Sequence, residues 1–386
     1  MRIIYYSQAF FSDCDFPLIQ EFQKRKDKFR VYIPVQTYRM NSGLLSLKKL
    51  KRWPGIFKAS KYQELMIYNG YLNLDKVYII NLPVGKRGVT YRITWFWVFL
   101  HMLSFRPNIF HFNWPLVGIE KWLYRLPVRK CMTVHDPISH SSVTRPEEEE
   151  DRLLAFSHAS RFVLLSDVLT EEFCRKYYIS MNKIDIAKMG EFSHLRYLKP
   201  VNYTFSYPYI LFFGQILSYK GIEYLCEAMI KVHRLCPELH LIIAGSGRMY
   251  FDYSPYENLD YIHLRNEFIP IDELAGLLQN AMFAVCPYKD ATQSGVVQTS
   301  FSCNTPLIVT NVGALPVAVK HNVTGLVVPP QDSNALAEAI ITLVKSPQLL
   351  EKFRKNIEHV WRPTMLWDSI VDIYLQSYQK IVRNKA

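Results

Sequence analysis

The chain contains no Cys-x-x-Cys pair; its seven cysteines, an odd number, are scattered through 386 residues. That pattern argues against a zinc site or a disulfide framework and for a reducing compartment. Long apolar runs are also missing. The longest aromatic–apolar stretch, Trp95–Leu103, contains His101 and is too short to span a bilayer, so it reads as a core-facing helix. The opening MRIIYYSQAFF has no basic region followed by a hydrophobic signal core, and the protein is expected in the cytoplasm. No solenoid repeat occurs, and the one biased tract is Glu147–Asp151. Acids are the scarcer charge, 34 Asp and Glu against 46 Lys and Arg, which leaves a net charge of +12. An anionic partner is therefore expected: nucleotide, phospholipid surface or nucleic acid. No nucleic-acid-binding motif accompanies the charge, so nucleic acid is set aside.

What the chain does have is alternation. Short apolar strands are predicted at Arg2–Tyr6, Arg30–Pro34, Val77–Asn81, Ile109–Phe112, Cys131–His135 and Arg161–Leu165. A second series runs through Tyr209–Phe213, His240–Ala244, Tyr261–Leu264, Phe283–Pro287, Pro306–Thr310 and Gly325–Val328. Helical patterns such as Ile222–Leu235, Ile271–Asn280 and Asn334–Val344 separate the later ones. This alternation implies an α/β protein with a doubly wound parallel sheet, formed twice. The segment Leu198–Pro208 has two prolines and no helical period, and reads as the linker.

The most informative stretch is Asp290–Pro330. A polar loop, Gln293–Ser294–Gly295, leads into a helix predicted over Val296–Cys303, and a buried-type strand follows. A loop and helix start after a strand turns unpaired N–H groups toward an anion. Upstream, ILFFGQILSYKGIEYL runs a strand into Gly214, where the chain turns closely, and then into Lys220 and Gly221 at the next helix start. A lysine there makes a concentrated phosphate site. In the first half, TVHDPISH puts His135 and Asp136 at a strand end, where parallel sheets bind ligands. His111, His140 and His158 read as structural. The Gly-Ser-Gly after Ala244 lets backbone approach a nucleotide.

These residues together resemble the retaining nucleotide-sugar glycosyltransferases of family 4. The resemblance is clear over about residues 209–345 and thin before them. It implies the GT-B fold, two Rossmann-like domains facing a cleft. Residues 1–200 would form the acceptor-side domain and 201–365 the donor domain. Residues 366–386, with a helix over Leu366–Val382, would cross back to the first. It implies transfer of a sugar from a UDP- or GDP-sugar to a glycan or lipid-linked acceptor, with retention and without a metal. Surface polysaccharide biosynthesis is the expected setting. The nucleotide sugar is then a substrate, and no cofactor is expected.

Carried over by position, the resemblance puts Lys220 on the donor diphosphate. Gln215 stands where the family has a second cation, an Arg. Its pair of acids, a Glu, seven residues and a second Glu, matches Asp290 and Gln298, or Thr299 when counted back from Pro306. The first would contact donor-sugar hydroxyls and the second the ribose. Backbone amides of Ser294, Gly295 and Val296 would meet the diphosphate or sugar, and His135 the sugar near its anomeric carbon. Val317 replaces the usual Glu after Leu-Pro. Asp13 and Asp15, after the first strand, match the acceptor-facing loop and stand with Asp136 as acceptor-side candidates; a turn or helix cap is the competing reading for the pair. The departures at Gln215, at the second acid and at Val317 motivate a rival, a catalytically weak nucleotide-sugar-binding or scaffold subunit.

Two charge runs remain. Glu147–Asp151 follows Thr144 and Pro146 and reads as a solvated helix start. Leu44–Lys61 carries six Lys and Arg, no acid, and interleaved Leu, Trp, Ile and Phe. It suits peripheral contact with an anionic membrane, although Pro54–Gly55 prevents one continuous helix.

Overall fold

The computed structural model describes residues 1–36, 41–42, 45–83, 88–138, 146–198, 201, 203, 205–291 and 295–383. The chain forms two compact units, Met1–Gly190 with Leu366–Ala386, and Glu191–Met365.

The first unit is built on an eight-stranded sheet. In chain order its strands are β1 (Arg2–Tyr6), β2 (Lys28–Gln36), β3 (Gly55–Lys58), β4 (Val77–Leu82), β5 (Ile109–Phe112), β6 (Arg129–Val134), β7 (Arg161–Leu164) and β8 (Ile184–Ile186). They lie side by side as β8-β7-β6-β5-β1-β2-β4-β3. All pairs are parallel except β3 on β4, which makes an antiparallel edge. The central strands read as continuous apolar runs because both faces are covered. Every residue of β5 is buried, and so is β1 after Arg2. The strand order reverses direction between β1 and β5, which sets a topological switch point there.

The final helix, Trp367–Arg383, belongs to this unit. Tyr374 and Tyr378, one turn apart, are buried against the sheet. The Tyr378 hydroxyl lies 2.8 Å from His111 Nδ1, and Lys380, Ser377 and Arg161 all converge on the Asp185 carboxylate. That cluster explains why β8 escaped the sequence reading. Its central residue is an acid, neutralised by partners distant in the chain.

The second unit has six strands: β9 (Tyr209–Phe213), β10 (His240–Gly245), β11 (Ile262–Asn266), β12 (Ala284–Cys286), β13 (Leu307–Thr310) and β14 (Gly325–Val328). All are parallel, in the order β11-β10-β9-β12-β13-β14. This is the Rossmann order, and its switch point falls between β9 and β12. Leu211 pairs with Ala284 across that junction. The crevice beyond the carboxyl ends of these two strands is where such sheets bind ligands.

The helix Val89–Ser104 departs from expectation. Tyr91, Trp95, Val98 and Met102 do face the core, but Phe96 and Trp97 are exposed. Among the described residues, no helix is long and apolar enough to cross a membrane.

Candidate functional site

Beyond β9 the chain turns through Gly214, whose φ of +116° favours glycine. Gly214 N–H donates to the Ala244 carbonyl and Ile216 N–H to the Ser246 carbonyl, each at 3.0 Å. The two loops therefore run in contact. A Cβ on Gly245 would fall 1.8 Å from the Gly214 carbonyl oxygen, so only glycine fits. Asn266 holds the Gly-Ser-Gly loop from the far side, with its amide exchanging two 3.0 Å hydrogen bonds with the Gly247 backbone. Gln215 is exposed at the rim.

Lys220 ends a single turn, Ser218–Lys220, and Gly221 follows with φ +65°. A Cβ on Gly221 would lie 2.0 Å from the Pro287 carbonyl oxygen, so this glycine lets the helix Ile222–His233 start against the end of β12. Lys220 is only 8% exposed. Its Nζ donates to the Tyr288 hydroxyl at 2.6 Å and lies 3.8 Å from the centroid of the same ring and 5.0 Å from that of Tyr219. Among the described residues no carboxylate pairs with it. Burial lowers its pKa to about 8. The neighbouring Lys289 differs, with its Nζ 2.7 Å from Glu223. The sequence reading missed Tyr288; a tyrosine two residues past a buried strand carries no signal until the fold brings it to Lys220.

Downstream, Asp290 is exposed just past β12. Gln293 and Ser294 lie outside the described residues. Gly295 opens the helix Gly295–Ser302 and is exposed; Val296 is half-buried. Gln298 and Thr299 separate clearly. Thr299 is buried and its hydroxyl donates to the Gly295 carbonyl at 2.7 Å, whereas Gln298 is half-buried. Gly313 passes so close to the Ala291 carbonyl that a Cβ would meet it at 1.5 Å. Thr310, at the end of β13, donates to the Tyr288 carbonyl at 2.6 Å and so fixes the backbone that carries Lys220's partner. Val317 is 68% exposed.

In the first unit β6 ends at Val134, one residue short of the expected strand, and His135 follows it. Its ring stacks on Phe11 at 3.7 Å and 12°, and Phe11 in turn packs on Trp114. The imidazole is buried, and its Nε2 has no hydrogen-bond partner among the described residues. Burial drives its pKa down to about 3, so the ring is neutral near pH 7. His111 is structural, between Thr133 and Tyr378, and His158 stacks on Tyr124 and bonds its own helix. His140 lies outside the described residues.

The three acceptor-side candidates occupy different environments. Asp13 is half-buried in the first turn of the helix Ser12–Lys24. Asp136 is half-buried, and its carbonyl accepts from Arg152. Asp15 turns inward: it is 2% exposed and takes hydrogen bonds from Tyr5, Ser7 and Asn113. Its role in the fold is to hold the loops that leave β1 and β5. Burial outweighs those three donors and raises its pKa to about 7.

Residues 207–346 match the family model described as glycosyl transferases group 1. The chain is 28% identical over 246 residues to an uncharacterized glycosyltransferase of Methanocaldococcus jannaschii, covering 58% of this chain and 61% of that protein. It is 24% identical over 310 residues to a D-inositol 3-phosphate glycosyltransferase of Segniliparus rotundus, covering 73% and 68%. Among solved structures, sucrose-phosphate synthase from Thermosynechococcus elongatus superposes with a TM-score of 0.70 at 18% identity, over 100% of both chains. HepE of Anabaena in complex with UDP and glucose gives 0.67 at 13% identity, over 98% and 99%. The matched segment of the second unit is thus similar to group 1 glycosyl transferases, and the chain has the GT-B fold.

Proposed function

We propose that this protein is a retaining glycosyltransferase that moves a sugar from a UDP- or GDP-sugar to a glycan or lipid-linked acceptor in surface polysaccharide biosynthesis. The observation that carries this reading is Lys220, a buried cation without a carboxylate partner among the described residues, at the switch point of a Rossmann-ordered sheet. A buried ammonium in that position is a receptor for an anion. The HepE structures, which hold UDP and UDP-glucose, support a nucleotide-sugar donor.

In this reading Lys220 and the amides opening the helix Gly295–Ser302 neutralise the donor diphosphate. Gln298 takes the ribose, Asp290 the sugar hydroxyls, and His135, neutral, the sugar near its anomeric carbon. The bond from that carbon to the phosphate oxygen breaks as the acceptor oxygen bonds to it. The acceptor's proton passes to the departing phosphate, on the same face. Charge develops on the leaving group, so preorganised positive potential lowers the barrier. No metal enters the scheme. The basic stretch Leu44–Lys61 is the proposed peripheral contact with an anionic membrane at the cytoplasmic face.

Thermal unfolding with nucleoside diphosphates and nucleotide sugars tests the donor, since a ligand of the folded state raises the midpoint. UDP or GDP is expected to stabilise, and acceptor to be needed for rapid release of nucleotide. The exposed Gln215 favours the second reading, a binding or scaffold subunit, and stabilisation without turnover on any acceptor selects it. No stabilisation by any nucleotide overturns both.

A further inference from the structure

We propose that the outer face of the helix Val89–Ser104, together with Trp53, docks on an anionic lipid surface. Val89, Ile93, Phe96, Trp97 and Leu100 recur at helical spacing and are 72%, 50%, 52%, 60% and 37% exposed. The opposite side is already buried in the core, so the helix is apolar on both faces, with Thr90 and Arg92 exposed near its start. Such a helix needs a second cover, and an exposed apolar stripe of this size marks an interaction surface.

Trp53 extends the stripe. It is 69% exposed, and the loop that presents it is stapled in place. The buried Asn81 amide donates to the carbonyls of Lys51 and Trp53 at 2.9 and 2.8 Å, and its oxygen accepts the Lys51 N–H at 3.0 Å. An indole held in water by three hydrogen bonds to its loop is a built feature. Trp53 and Ile56 face Ile93 and Trp97 across a groove of about 550 Å³.

Two features select lipid as the occupant. The polar side-chain groups of the stripe and its extension are two indole N–H groups, those of Trp97 and Trp53; an indole with an apolar body and one polar edge suits the boundary between headgroups and acyl chains. The rim is cationic. Lys48, Lys49 and Arg52 are exposed in the segment that leads to Trp53, Arg92 is exposed on the helix itself, and residues 45–61 hold no acid. The nearby acids are engaged, Glu64 with the Lys48 N–H and Asp75 with Lys58. A basic rim around an aromatic face matches an anionic headgroup layer over hydrocarbon. The inference deepens the peripheral reading, which rested on the basic stretch alone, and is independent of the transfer chemistry.

Vesicle sedimentation of the full chain on phosphatidylcholine, with and without phosphatidylglycerol, tests it. The chain is expected to bind the mixed vesicles, and Phe96→Ser with Trp97→Ser to weaken that binding by about tenfold or more. Both side chains are exposed, so the fold should survive. A second measurement removes neither apolar bulk nor charge. Lipids brominated in the acyl chain should quench the protein's tryptophan fluorescence, and Trp53→Phe with Trp97→Phe should lose most of that quenching while binding persists. Undiminished binding of the serine variant leaves only a basic contact and overturns the proposal, as does binding without quenching. A dimer in solution that the serine pair dissolves makes the face a self-interface and overturns it too. Failure of the native chain to bind anionic vesicles overturns this docking face and the basic contact together, while leaving the donor site untouched.

Discussion

Lys220 points its ammonium at Tyr288, with Nζ 2.6 Å from the phenol oxygen and 3.8 Å above the ring. The ring and hydroxyl offset part of the cost of burying the charge, but a neutral partner does so incompletely. The pKa therefore falls to about 8, and the site gains by admitting an anion. Thr310 extends the chain of support through its hydrogen bond to the Tyr288 carbonyl.

The first prediction is a pH profile. A diphosphate binds the protonated ammonium. Its affinity should be flat below the pKa of about 8 and fall about tenfold per pH unit above it. Calorimetric titration with UDP or GDP across this range reads the break directly. Lys220→Met should weaken binding by about tenfold or more and abolish the break. Tyr288→Ala, which admits water to the ammonium, should move the break upward. A break that survives in Lys220→Met belongs to another group.

The second prediction separates two adjacent residues. Gln298→Ala removes a half-buried amide, and nucleotide affinity should drop by about two- to tenfold, the worth of one hydrogen bond. Thr299→Val removes a hydroxyl already bonded to the Gly295 carbonyl. It should cost about 1 kcal/mol of folding stability and leave affinity unchanged. Paired calorimetry and urea unfolding decide; the reverse pattern assigns the ribose contact to Thr299.

The sequence made the central parallel strands legible because each is a short apolar run buried on both faces, and the glycines at 214, 221 and 245 because their turns need a positive φ. Lys220 was legible as a helix-start cation. Its burial was not, since Tyr288 meets it only when β9 and β12 become neighbours. Asp15 shows another limit of the sequence. Next to Asp13 it reads as a ligand contact, and only the fold shows Tyr5, Ser7 and Asn113 enclosing it. Likewise one heptad of Trp95–Leu103 contains both core and solvent positions, and an all-apolar pattern cannot say which is which.

The third prediction concerns Asp15. A free aspartate carboxyl titrates near 3.8, and burial raises that of Asp15 to about 7 in the folded chain. The folded state therefore holds a proton that the unfolded state releases. The resulting stabilisation is full below the lower value and is lost as pH rises through the upper one. Asp15→Asn, which cannot ionise, should lack this component. The stability of the native chain relative to the variant, from urea unfolding, should decline between the two pKa values and level off above. A difference that grows with pH would show the carboxylate to be favoured in the ionised form.

The last prediction is for His135. The ring is fixed by stacking on Phe11, is neutral near pH 7, and keeps Nε2 without a partner among the described residues. A buried polar atom left so costs about 1–3 kcal/mol, and that cost is recovered when a ligand group reaches it. If this group belongs to the donor sugar, the contact matters most as the sugar gains positive character, so removing it should cost turnover rather than nucleotide affinity. His135→Ala should keep calorimetric binding of the diphosphate and lose transfer by about a hundredfold. His135→Phe preserves the stack on Phe11 but not the nitrogen. It should fold as well as the native chain and be as inactive as the alanine variant. This variant distinguishes chemistry from packing: if His135→Phe transfers sugar at the native rate, the imidazole is a structural ring and the donor-sugar contact lies elsewhere.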